Sequence, residues 1–181
     1  GRENHRGEEE ALLDRERAPK EDPTAGLKPP KSARRLPSAL SPDEAAKLVT
    51  IGAGEPLAIR DRAILELAYS SGLRLAELAG LDVARLDLDG GEARVIGKGS
   101  KERIVPVGRA ALDAIRAWLP VRSTLATEDE PALFVGRGGS RLSPRSIESR
   151  LADWAVKQGL DRHVHPHMLR HSFASHVLQS S

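Results

Sequence analysis

Four side chains in this sequence have the type and setting to handle a phosphate: Arg74, Lys98, His167 and Arg170. Arginine presents a planar fork of N–H donors that matches two oxygens of a phosphate, and its charge is permanent. Arg74 follows Ser71-Gly72-Leu73, where a glycine ends a helical pattern and the chain turns a corner that aims a side chain outward. Arg170 lies three residues after His167, so the two project from one helical face, with His171 one turn beyond His167. Two such forks from different elements could neutralise a phosphodiester and the added charge of its transition state without a metal. The plainer alternative is that Arg74 pairs with Glu77 at i+3 and Arg170 is a surface arginine.

Lys98 sits at the tip of a glycine-flanked turn, Gly97-Lys98-Gly99. Small flanks let such a turn approach a ligand closely, and a lysine there can contact a phosphate or protonate a leaving oxygen. A solvated hairpin tip is the competing reading. The stretch is not a P-loop: five residues separate Gly91 from Gly97, and no Ser or Thr follows the lysine. His163, His165 and His167 alternate, and His167 with His171 has the spacing of a zinc-binding helix. Met168 stands where a zinc protease places its acid, carboxylates nearby are scarce, and a basic cluster repels a cation; no metal ligand is assigned.

Composition narrows the classes further. The 181 residues hold no cysteine, which removes disulfide scaffolds, thiolate zinc fingers, iron–sulfur clusters and thiol catalysis, and fits a cytoplasmic protein. At 3% aromatic residues, the composition argues against a base-stacking single-strand binder. No apolar run nears the roughly 20 residues of a membrane span, and no secretory segment opens the chain. The net charge of +2 conceals segregation: residues 94–109 carry five basic and one acidic side chain, and residues 134–181 carry seven and three. Five of the six histidines fall in that last segment. Two basic stretches in an otherwise acidic body mark either a nucleic-acid face or a solvated surface.

The elements that must position these residues can be read from period and punctuation. Ser41-Pro42-Asp43-Glu44 is a capping box that opens a helix on Ala45, Leu48 and Val49. A second helix is expected from Leu57 to Ser70 on Ile64, Leu65 and Ala68, ended by Gly72, and a short one from Leu75 to Ala79, stopped by Gly80. The period then switches: Leu86 and Leu88, Ala93–Ile96 and Arg103–Val107 read as three short strands. Helices resume at Arg109–Leu119, at Pro144–Gln158 behind the cap Ser143, and from His167 onward on Leu169, Phe173 and Val177. The fold class is α+β, mostly α-helical with a small three-stranded antiparallel sheet.

These residues together resemble a known family, the tyrosine site-specific recombinases (phage integrases). Tyr69-Ser70-Ser71-Gly72-Leu73-Arg74-Leu75-Ala76-Glu77-Leu78 looks like their first arginine box, and Ile96-Gly97-Lys98-Gly99-Ser100-Lys101-Glu102-Arg103 like their β-hairpin lysine segment. His165-Pro166-His167-Met168-Leu169-Arg170-His171-Ser172-Phe173-Ala174 looks like their His-x-x-Arg box. The likeness covers roughly Thr24 to Ser181 and is nearest to the bacterial XerC-like branch. It implies a catalytic domain that breaks and rejoins double-stranded DNA at a short palindromic recombination site through a 3′-phosphotyrosyl link, without ATP, metal or other cofactor. By position, Arg74 and Arg170 would clamp the phosphate, Lys98 would be the general acid for the 5′-hydroxyl, and His167 would assist proton transfer. Glu77 would orient the site, and Lys101, Arg103, Arg145 and His171 would contact DNA. The intact protein would resolve chromosome dimers in a heterotetramer with a sister XerD-like recombinase.

The family's nucleophilic tyrosine is expected beyond Ser181, and the sole tyrosine here, Tyr69, occupies a packing position. The resulting expectation is a C-terminally truncated catalytic domain, inactive alone. Residues 1–23 would be disordered or a remnant of an N-terminal core-binding domain, 24–40 a linker and 41–181 the partial catalytic domain. A non-catalytic DNA-binding module and a metal-binding helical protein are the rival readings.

Overall fold

The computed structural model describes residues 39–52 and 54–179; the expectations for residues 1–23 and for 24–38 lie outside them. Helix α1 (Pro42–Val49) opens as its sequence dictates: the Ser41 Oγ accepts from the Glu44 amide at 3.1 Å, and the Glu44 carboxylate accepts from the Ser41 amide at 2.7 Å. The folded unit starts ahead of the expected Ser41. Leu40 is buried, and its amide donates to the Ser172 Oγ at 2.8 Å.

Helix α2 (Pro56–Ser71) is the centre of the fold, packing against α1 and against the three helices that follow the sheet. Ile64, Leu65 and Ala68 are buried as expected, but so are Arg60, Asp61 and Glu66. A helix enclosed on nearly all sides must pair the charges that its sequence places on the far face. Asp61 does this: one oxygen accepts from Arg60 Nε at 2.9 Å and from its terminal nitrogen at 2.6 Å, the other from Trp154 Nε1 at 2.9 Å. Arg60 also donates to the Val135 carbonyl at 3.1 Å.

Helix α3 (Leu75–Ala79) follows the corner at Gly72, and a single 3₁₀ turn (Val83–Arg85) leads into the sheet. Strands β1 (Leu86–Asp87), β2 (Glu92–Ile96) and β3 (Glu102–Pro106) are antiparallel in the order β1-β2-β3, with Val95 opposite Arg103 and Ile96 opposite Glu102. Ala93, Val95 and Val105 face the core, while Ile96 and Ile104 stay exposed. Leu88, expected in the first strand, falls just beyond it.

Helix α4 (Arg109–Leu125) passes the expected end at Leu119 and continues through Pro120. Proline removes one helical hydrogen bond, but tertiary contacts hold the far turns. The buried Trp118 donates to the Leu133 carbonyl at 2.8 Å, and Arg122 donates to the carbonyls of Ala132 and Glu130 at 2.7 and 2.5 Å. Helix α5 (Pro144–Lys157) is capped by Ser143, whose Oγ accepts from the Ser146 amide, and α6 (Pro166–Gln179) completes the described residues. Of the apolar residues expected along this helix, Leu169 is buried and Phe173 half-buried, while Val177 lies outside the described side chains.

Candidate phosphate-binding site

The corner between α2 and α3 is built on Gly72, whose φ of 59° is left-handed and open to few residues but glycine. A Cβ at this position would lie 2.5 Å from the ring of Phe173, so the corner and α6 meet with no room between them. The same corner receives Arg170, which donates to the Gly72 carbonyl at 2.6 Å. Arg74 stands two residues further on, at the N-cap of α3, with its side chain 58% exposed. The two arginines, distant in sequence, are therefore anchored on one turn of backbone.

Glu77 ties Arg74 to the hairpin. Its side chain is only 4% exposed, and each oxygen accepts twice. Oε1 accepts from Arg103 at 2.5 Å and from the Arg74 guanidinium at 3.2 Å; Oε2 accepts from Arg103 at 2.9 Å and from the Arg74 amide at 2.8 Å. Burial pushes this carboxyl up, but the Arg103 hydrogen bonds, the Arg74 amide and the Arg103 charge outweigh it and hold it down at about 2. Glu77 raises Arg103 in turn through the same hydrogen bonds. One carboxylate between two guanidinium groups leaves a net positive charge facing solvent at Arg74.

Lys98 begins the 3₁₀ turn Lys98–Ser100 at the hairpin tip and is exposed, with Gly99 at φ 75°. The hairpin closes through the Gly97 amide donating to the Lys101 carbonyl at 2.8 Å. A Cβ on Gly97 would meet Arg103 at 3.3 Å and Glu77 at 3.8 Å, so the residue before Lys98 lies against the Glu77–Arg103 pair. Arg74 thus makes the i+3 pair with Glu77 that the plainer reading expects, while its side chain stays 58% exposed.

His167 and His171 are exposed on α6, and the rings of His165 and His167 are 6.3 Å apart at T-shaped geometry. Burial lowers the His165 pKa, and the charges of His163, His167 and His171 lower it further, against Glu148. Among the described residues no group of three or more His, Asp or Glu side chains is arranged to hold a metal ion.

The remaining expected contacts divide. Lys101 is exposed at the end of the Lys98–Ser100 turn. Arg103, expected on DNA, spends its guanidinium on Glu77. Arg145 is exposed at the start of α5, on an open groove of about 500 Å³ that it shares with Arg137 and Arg150; Arg74, Lys98, His167 and Arg170 do not line it. Sequence reasoning missed the buried Arg60–Asp61 pair entirely.

The phage integrase family profile matches residues 38–181. The chain belongs to the phage integrase family. Within it, the chain is 51% identical over 162 residues to "Tyrosine recombinase XerC" of Escherichia coli O157:H7 and 52% identical to that of Salmonella typhi. Each alignment covers 90% of this chain and 54% of the relative, so the chain spans about half the length of the curated relatives it matches. Among solved structures, the XerA recombinase superposes at TM-score 0.71 with 32% identity, covering 81% of this chain and 52% of that one. The XerH recombinase, bound to its palindromic difH substrate after cleavage, superposes at 0.70 with 25% identity, covering 84% of this chain and 45% of that one. The expected α+β fold, mostly α-helical with a small three-stranded antiparallel sheet, is the one found. No helix of the described residues is long and apolar enough to cross a membrane.

Proposed function

We propose that this chain carries the phosphate-binding and proton-transfer residues of a XerC-like site-specific DNA recombinase. Arg74 and Arg170 clamp the scissile phosphate, each fork taking up charge as a tyrosine oxygen bonds to phosphorus and the 5′-oxygen departs. Lys98 gives its proton to that departing oxygen, and His167 assists proton transfer. Glu77 aims Arg74, while Lys101, Arg145 and His171 contact the DNA backbone. The substrate is a short palindromic duplex site, and the intact recombinase works with a XerD-like sister in a heterotetramer that resolves chromosome dimers.

The observation that carries this reading is the anchoring of Arg170 to the Gly72 carbonyl, two residues from Arg74. It brings two permanently charged forks from opposite ends of the domain to one corner. The XerH recombinase, a structural relative solved in complex with a palindromic substrate, supports the choice of duplex DNA. A binding-only reading of these 181 residues rests on one fact: the tyrosine they hold, Tyr69, is half-buried on α2.

Fluorescence anisotropy with a labelled duplex tests the proposal. Affinity should fall steeply with added salt, and Arg170→Ala should weaken binding about tenfold and flatten the log–log salt slope by about 1. An Arg170→Ala chain that binds like the parent at every salt concentration removes the clamp from consideration.

A further inference from the structure

Arg103 has the charge and the place for a DNA contact, yet its geometry says otherwise. Its two terminal nitrogens sit on the two oxygens of Glu77 at 2.5 and 2.9 Å, the fork-to-fork arrangement that only arginine can make. The other two acceptor positions of Glu77 belong to the Arg74 amide and guanidinium. A carboxylate has about four such positions, so Glu77 is saturated by two residues from two elements. Arg103 lies on β3, and a Cβ added to Gly97, the residue directly before Lys98, would meet its guanidinium at 3.3 Å.

We propose that Arg103 is a positioning residue: acting through Glu77, it locks the Lys98 hairpin to the Arg74 corner and does not itself touch DNA. The inference rests on the reading of Arg74 and Lys98 as phosphate ligands, and it assigns their mutual registration to one ion pair between α3 and β3. Loss of that pair removes a fork-to-fork link between hairpin and corner and loosens the register of Lys98 with Arg74.

Two measurements on the full chain decide the matter, using Arg103→Lys, Glu77→Gln and the double variant, with far-UV circular dichroism to confirm folding. The first needs no DNA. Amide hydrogen exchange at Arg74, whose N–H bonds Glu77, and at Gly97, whose N–H closes the hairpin, should accelerate in Arg103→Lys although the charge is kept. The second is duplex affinity. Arg103→Lys and Glu77→Gln should each weaken binding about tenfold, and the double variant should be about tenfold weaker as well, because both changes break one unit. A direct phosphate contact gives a different pattern: Arg103→Lys near parental affinity, Arg74 exchange unchanged, and losses that multiply to about a hundredfold in the double variant. Any of those three results overturns the proposal. If Arg103→Lys does not fold, Glu77→Gln alone must reproduce the faster exchange at both amides, and unchanged exchange there overturns it. A parental chain that binds no duplex refutes the proposed function instead, while the exchange rates still decide the role of Arg103.

Discussion

Glu77 concentrates the site's electrostatics in one carboxyl group. Held at about 2 against an ordinary 4.5, it binds its proton more weakly in the folded chain than in the unfolded one. The stability it contributes is therefore whole above about 4.5 and drains as pH falls towards about 2, on the order of 3 kcal/mol at about 1.4 kcal/mol per unit. Urea midpoints measured across that window should fall in the parent, and Glu77→Gln should show a shallower fall from a lower starting value. A parallel decline in both chains would mean that other carboxylates dominate. At this scale the sequence was informative about Arg74, Glu77, Lys98, His167 and Arg170, because their boxes are local. It was silent on Arg103 as a partner of Glu77, since the pair is separated by 26 positions and no spacing rule reaches that far.

Among the elements, α2 has the most consequence for what the others can do. The alternation of apolar positions located its buried stripe, but enclosure by four other helices could not be inferred from one strand of text, and with it the fate of Arg60 and Asp61 was hidden. Asp61 joins α2 to α5 through the Trp154 indole. Asp61→Ala leaves a buried guanidinium without its counter-charge and should cost about 3–5 kcal/mol in urea unfolding. Arg60→Met combined with Asp61→Leu should recover most of that loss, because an apolar pair of similar volume carries no desolvation penalty. If the double variant is as unstable as the single one, the pair matters for its hydrogen bonds to Val135 and Trp154 more than for its charge balance. The length of α4 teaches the same lesson: Pro120 argues for an end, and contacts from Trp118 and Arg122 to a segment beyond the helix overrule it.

At the scale of the molecule, the described residues bring Arg74 and Arg170, far apart in sequence, to one corner of an otherwise acidic domain. Tyr69, the sole tyrosine, is half-buried near the end of α2, and burial together with the charge of Glu66 raises its pKa above the usual 10.0. A phenol made harder to ionise is a poor nucleophile. Incubation with a nicked duplex that traps covalent intermediates should thus yield no protein–DNA adduct, and a phosphotyrosyl peptide mapped to Tyr69 would reverse this reading. Domain class, strand count and the three boxes were legible from sequence; the meeting of those boxes was not, because it depends on backbone corners whose side chains say nothing.

Gly72 is such a corner. It carries no functional group, yet any larger residue there is twice penalised, by its backbone torsion and by the ring of Phe173. A genetic screen for lost function would return this position beside the arginines, and the hit would report joinery, not chemistry.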